Sequence, residues 1–226
     1  MRRPNDSHLA KVWRVHALAT DFELLDVWRY PVVAPPDVPF SAFLSFMTEA
    51  PAELLSGSGP AAALFKLRGA LGRLFGWDDK KASDERHGAR ERVARETIRD
   101  RLDPGEAVDP ATVVAIAGDR ESGFSPLYLT DDETLSEITN ATVHALMHLG
   151  RVPNEDGTWS PEMAVYVKTK GALGRFYMQL IGPFRHAIVY PAMMRAAEKR
   201  WPAFLAAPSC ETMAQQLPAR PPLPNP

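Results

Sequence analysis

The chain has 226 residues, 45% of them hydrophobic, enough for one sizeable core, and no internal Gly/Ser linker divides it. A net charge of −2 and a pI near 6.3 leave no electrostatic footprint for nucleic acid or an anionic membrane. No run of about 18 uncharged apolar residues exists to span a bilayer, MRRPNDSHLAK lacks the apolar core of a secretory signal, and the single Cys210 excludes an intrachain disulfide or a thiolate zinc cluster. A soluble cytoplasmic protein of one domain, 8–205, is expected.

From Trp13 to Pro31 the residues Phe22, Leu24, Trp28 and Tyr30 alternate imperfectly with polar neighbours, which predicts the first strand. Phe40, Phe43, Leu44 and Met47 fall at helical spacing and Pro51 ends that run, so a helix follows. A second helix is expected near Pro60, with Leu64, Leu67, Leu71, Leu74 and Phe75 on one side. The stretch 78–103 carries eight acidic and eight basic residues and reads as a solvated charged insert. Beyond it, PATVVAIA, FSPLYL, ETLSEI, NATVHALMHL and EMAVYVKTK, with Asn154 to Gly157 as a hairpin connection, predict an antiparallel meander. Thr130 to Glu133 has a capping-box pattern that competes as a helix start, though a turn is preferred there. The tail 206–226 is too proline-rich to join a core, and disorder is expected.

The last element is a long helix from Gly171 to Trp201. At about 100° per residue, Leu173, Phe176, Tyr177, Leu180, Ile181, Phe184, Ala187, Ile188, Pro191 and Met194 share one broad side. Pro183 and Pro191 each remove an i to i−4 hydrogen bond, so a kink or break is expected.

Few residues offer chemistry. His144 and His148 share a strand face, but about 13 Å separates their Cα atoms at about 3.3 Å per residue, too far for one metal ion. Val143, Ala145, Met147 and Leu149 form the more apolar face, which matches Met163, Val165 and Val167 in the next strand. The simplest register points that face inward and leaves both histidines outside; the other register turns them into a polar-lined cavity. Arg185 and His186 point about 100° apart on a helix, so only one is expected to anchor a pocket. Arg185, at the border of the apolar face, is the better candidate, able to reach a carboxylate or phenolate, and His186 groups with the wet side. Tyr177 is a phenol within the apolar face and needs a hydrogen-bond partner there. Lys168 and Lys170 flank the helix start, where cations can hold an anion, but two solvated lysines are the plainer explanation. Asp131, Asp132 and Glu133 read as turn chemistry, and no nucleophile elbow is present. The catalytic residues are therefore unknown, and no metal or cofactor is expected.

The segments ALATDFELLDVW, ALFKLRGALGRLFGW, PLYLTDDE, NATVHALMHLG and MAVYVKTKGALGRFYMQLIGPFRHAIVYPA together resemble the family called domain of unknown function 2867. The resemblance spans about Val12 to Trp201, excepting the charged insert, and GALGRFYMQLIGPFRH is its most specific part. It implies the SRPBCC superfamily and an α+β helix-grip (START-like) fold. In that fold a curved antiparallel sheet wraps a long C-terminal helix, with two short helices after the first strand and a cavity between sheet and helix. An apolar or amphipathic small molecule is the expected ligand, with Val143, Ala145, Met147, Met163 and Val165 as walls and Tyr177, Arg185 or an inward His144 as polar contacts. The alternatives are a cyclase, aromatase or hydratase using His144 or Tyr177 for proton transfer, and an accessory domain partnering a second copy or a separate oxidoreductase. No G-x-G-x-x-G follows a strand, so any such oxidoreductase is a different chain.

Overall fold

The computed structural model describes residues 1–49, 97–103, 124–139 and 142–207. The expected helix from Pro60, the strand PATVVAIA, most of the charged insert and nearly all of the tail lie outside them. Six strands form one antiparallel sheet: β1 (Arg2–Arg3), β2 (Glu23–Arg29), β3 (Ser125–Leu129), β4 (Glu133–Thr139), β5 (Val143–Pro153) and β6 (Trp159–Thr169), ordered β1-β2-β6-β5-β4-β3. The meander β3 to β6 is the one the alternating runs predict, and β2 closes onto its far edge by pairing with β6.

The β5–β6 hairpin turns at the expected place. Asn154 and Thr158 bond through their backbones, and Gly157 takes the positive φ of 83° that a side chain would strain. At the β3–β4 turn, Thr130 Oγ1 accepts from the Glu133 N–H at 3.1 Å, the bond a capping box would make, but the chain continues as a strand.

The expected first strand is shorter than the sequence suggests. Before β2 come two short helices, α1 (Asn5–Leu9) and α2 (Val15–Leu18), because Val15 and Leu18 are buried against the sheet rather than paired in it. After β2, α3 (Phe40–Glu49) follows its apolar spacing, burying Phe40, Phe43, Leu44 and Phe46. The C-terminal helix is continuous but changes its hydrogen-bond pattern between its two prolines. It runs as α4 (Gly171–Phe184), a π-turn over Arg185–Val189, and α5 (Tyr190–Leu205), with Pro183 in the last turn of α4 and Pro191 in the first turn of α5.

Two cores flank the sheet. On the helix side, Trp28, Tyr30, Leu149 and Met163 meet the aromatic face of α3 and Tyr190, Met194, Ala197 and Trp201 of α5. Each buried aromatic side chain there contributes about 2 kcal/mol of transfer free energy. On the opposite side, Val27, Leu146, Ala164, Tyr166 and Leu135 are covered by Val15 and Leu18 and by Ile98, which precedes a 3-10 turn at Arg99–Arg101.

The buried face of α4 differs from the expected one. Phe176 and Leu180 are exposed, as is Ile188 in the π-turn that follows, whereas Gly174 and Ile181 are buried. Gly174 and Ile181 are two turns apart on one face, and Gly174 lies against the Thr142 carbonyl. The glycine that lets the two backbones approach selects the inward face, not the bulk of the apolar side chains.

Candidate functional site

Register places Met147, Leu149, Met163 and Val165 on the helix side and His144, Leu146 and His148 on the other, as simple alternation requires. The histidines are nevertheless buried, not solvent-facing as the simple register implied, because the N-terminal segment and residues 97–103 cover that side. His144 therefore does not face the C-terminal helix. Of the other expected wall residues, Val143 and Met163 are buried, and Ala145, Met147 and Val165 are half-buried. The side chain of Tyr177 lies outside the described ones.

Each histidine has its own glutamate. His148 Nε2 lies 2.8 Å from Glu133 Oε2, and His144 Nε2 lies 3.0 Å from Glu137 Oε2. Glu133 and Glu137 are four apart on β4, as the histidines are on antiparallel β5, so each pair forms on the diagonal of the ladder. The Tyr128 hydroxyl donates to the same Glu133 oxygen at 2.7 Å. On β6, Glu162 is 1% exposed; it accepts from Lys11 at 2.8 Å and pairs with His8 Nδ1 at 3.0 Å. His8 Nε2 reaches the Tyr166 hydroxyl at 3.0 Å.

These carboxylates stay ionised. Burial alone would raise Glu133, Glu137 and Glu162, but hydrogen bonds from His148, His144 with Thr97, and His8 with Lys11 outweigh it and hold all three below the ordinary value. Burial pushes His148 down, so it is neutral, with Nε2 donating to Glu133 and Nδ1 without a partner among the described residues. A side chain on Gly150 would collide with Trp13 and His148, so this network is closely packed and serves as a clamp on the N-terminal segment.

A second cluster spans the sheet and the C-terminal helix. The ladder between β2 and β6 slips between Leu24 and Asp26, which turns Asp26 to the helix side beside Trp28 while Leu24 joins Val27 on the other. Asp26 is 0% exposed, and its two oxygens bond Arg185 Nη2 and His186 Nε2. Both neighbours thus reach one carboxylate, although a uniform 100° step would point them apart, and His186 does so with 32% of its side chain exposed. Both lie in the π-turn, where the uniform 100° step does not hold. The Arg185 guanidinium also sits 5.6 Å from the Tyr190 ring centroid, and the Trp28 ring is 5.1 Å from that of Tyr190. Burial, with the Asp26 charge, pushes the Tyr190 phenol up to about 12 against the opposing pull of Arg185. Among the described residues, Arg185 Nε and Trp28 Nε1 are buried donors without an acceptor.

Sequence reasoning named Arg185, set His186 and Glu133 aside as wet-side and turn residues, and missed Asp26, Glu137, Glu162 and His8. Two signals were present: the doublet Leu24-Leu25, which breaks strand alternation, and the E-x-x-x-E of β4 preceding the H-x-x-x-H of β5.

The chain is thus an α+β protein with a six-stranded antiparallel sheet and a long C-terminal helix. It belongs to the family described as protein of unknown function (DUF2867), whose profile matches residues 18–192. Searches among curated proteins and among solved structures found no match.

Proposed function

We propose that this protein is a cytoplasmic binder of a small amphipathic molecule, held between the sheet and the C-terminal helix with its polar end at Asp26, Arg185 and His186. One observation carries the reading. Two backbone irregularities, the bulge in β2 and the π-turn after α4, converge on one buried carboxylate, beside which Arg185 Nε and Trp28 Nε1 have no acceptor among the described residues. Bulges and π-turns recur beside functional sites because they re-aim side chains that regular structure would point elsewhere. A ligand carboxylate, phenolate or carbonyl supplies the missing acceptor, and the half-buried Ala145, Met147 and Val165 supply apolar wall. The pairing of β2 with β6 and the run of β6 into the long helix support the helix-grip reading and its SRPBCC superfamily.

Purified protein titrated with a medium-chain fatty acid, an aromatic polyketide and a sterol tests this. Saturating ligand at about 100 times Kd adds about 2.7 kcal/mol to the folded state, and about 2–4 °C of Tm accompanies each kcal/mol at this size. At least one class is expected to raise Tm, and Arg185→Met to abolish the rise. No rise with any class, together with no retained small molecule in native mass spectrometry, would overturn the proposal.

A second reading, acid–base catalysis, draws on the Asp26–His186 pair, since a carboxylate-held imidazole is a general base in form. In that reading His186, not His144, moves the proton. The exposed Phe176 and Leu180 favour an accessory role, with α4 packing on a second copy. Sedimentation of the full chain at rising concentration separates that from a monomeric binder.

A further inference from the structure

The register slip in β2 lies beneath one short helix. Leu24 pairs with Tyr166 on one side of the slip, and Asp26 pairs with Val165 on the other. On the sheet face away from the C-terminal helix, where the His8 ring meets those of His148 and Tyr166, α1 holds both members of the first pair. Asn5 Nδ2, at the start of α1, donates to the Leu24 carbonyl at 2.7 Å. His8 Nε2, from the same helix, lies 3.0 Å from the Tyr166 hydroxyl. From this double attachment at the slip, we infer that Asn5 is a positioning residue for the Asp26 cluster. It fixes the bulge from one side of the sheet and so sets the aim of Asp26 at Arg185 and His186 on the other. Where a ligand is concerned, the inference rests on the proposed function of that cluster.

A bulge disrupts the ladder locally and bends its strand, and the bend re-aims the side chain beside it. The apolar pattern of β2 does not fix where that bulge falls. Leu24 and Leu25 are both half-buried leucines, so moving the slip by one residue exchanges like for like on the two faces. A polar contact to one main-chain carbonyl does distinguish the registers, because a one-residue move carries that carbonyl about 3.3 Å along the strand, out of reach of Asn5. The helix that presents Asn5 is anchored by other residues. Glu162 on β6 pairs with His8 Nδ1 at 3.0 Å and accepts from Lys11 Nζ at 2.8 Å. Just beyond Asp26, β1 pairs Arg3 with Val27 and Arg2 with Trp28, so the N-terminal segment brackets the slip on both sides.

Asp26 needs an exact aim. It is 0% exposed, and its two oxygens bond two different side chains, Arg185 and His186. Hydrogen bonds weaken steeply with angle, so a small change in the bend of β2 loosens both. The effect of Asn5 passes through the β2 backbone to the opposite face of the sheet, which separates it from residues that merely hold the N-terminal segment down.

The test is NMR of the full chain in Asn5→Asp and Asn5→Ala. Asn5→Asp keeps the size and shape of the side chain, and an acidic residue in the first turn of a helix is favourable, so the donor is lost without weakening α1. Asn5 is half-buried, and neither substitution is expected to unfold the chain. The signals read are the ring nitrogens of His186 and the carboxyl carbon of Asp26, with Asp26→Asn as the reference for a broken pair. Both variants are expected to move the His186 signals toward their Asp26→Asn positions. The indole N–H of Trp159, bonded to the Pro35 and Val38 carbonyls, is expected to stay in place and report that the fold persists. A residue that only stabilised α1 would lower Tm and leave His186 unmoved. Unchanged His186 and Asp26 signals in both variants overturn the inference. In titrations with the fatty acid, the polyketide and the sterol, whichever class raises Tm in wild type is expected to raise it less in Asn5→Asp. An equal rise overturns the link between Asn5 and ligand binding. No rise in wild type with any class sinks the proposed function, and the NMR signals then decide the positioning role of Asn5 by themselves.

Discussion

The buried Glu162 shows how one side chain ties distant parts of the chain together. It receives His8, Lys11 and, at 3.9 Å, Arg29, and only Lys11 and Arg29 among these have access to water. Removing the carboxylate leaves His8 buried with half its hydrogen bonding gone, and removing one partner of a buried pair costs about 3–5 kcal/mol. Glu162→Ala is therefore expected to lose about 3 kcal/mol in denaturant unfolding; a loss below about 1 kcal/mol would show that the network is not a clamp. Asp26 differs in kind. Its two partners come from one stretch of the C-terminal helix and reach it only because β2 bulges, which is why a ligand is argued there and not at Glu162. Sequence made Arg185 visible because a cation at the border of an apolar helix face stands out. It left Asp26 hidden, since strict alternation from Leu24 would not separate the two faces as the bulge does.

At the level of elements, the C-terminal helix was legible in length and order, and its two prolines bracket the change in its hydrogen-bond pattern, because proline chemistry is local. Its inward face was not. A uniform helical wheel ranks faces by apolar bulk, whereas α4 meets the sheet through Gly174. A glycine in a helix interior normally costs about 1 kcal/mol relative to alanine, so Gly174→Ala would stabilise an isolated helix. Here the added Cβ runs into the Thr142 carbonyl, which also holds the Lys170 N–H at 2.8 Å. The substitution is expected to lower Tm, and a rise would show that α4 does not need this close approach. The first strand illustrates the opposite limit. Of its four apolar residues only Leu24 and Trp28 lie in β2, on opposite faces, and Val15 and Leu18 serve as helix residues that cap the sheet, a choice that depends on where the sheet lies.

For the molecule as a whole, burial of titratable groups on both sides of the sheet sets the pH response. Burial lowers His148 and His16 below their ordinary 6.5, so the unfolded chain takes up protons that the folded one refuses as pH falls below that value. Glu133, Glu137 and Glu162, held below their ordinary 4.5, contribute stability above that value that is lost as pH falls through their folded pKa values. Both effects act in the same direction. The urea midpoint is expected to fall steadily on acidification from about pH 7 to about pH 4, and H16Q/H148Q to flatten the part above about pH 5. A midpoint unchanged between about pH 7 and about pH 5 would contradict this assignment.

The amino-acid sequence by itself determined the α+β class, the meander, the hairpin at Asn154 to Gly157 and the long C-terminal helix, because each rests on spacing or turn residues within a short span. The same local patterning separated His144 and His148 from the apolar face of their strand. Tertiary structure alone decided that both faces of the sheet are buried, that Glu133 and Glu137 meet those histidines, and that Asp26 gathers Arg185 and His186. The decisive contacts join residues as far apart as His8 and Glu162 or Asp26 and His186. Which polar side chain becomes buried, and beside whom, depends on a sheet register and a covering segment that no local window contains.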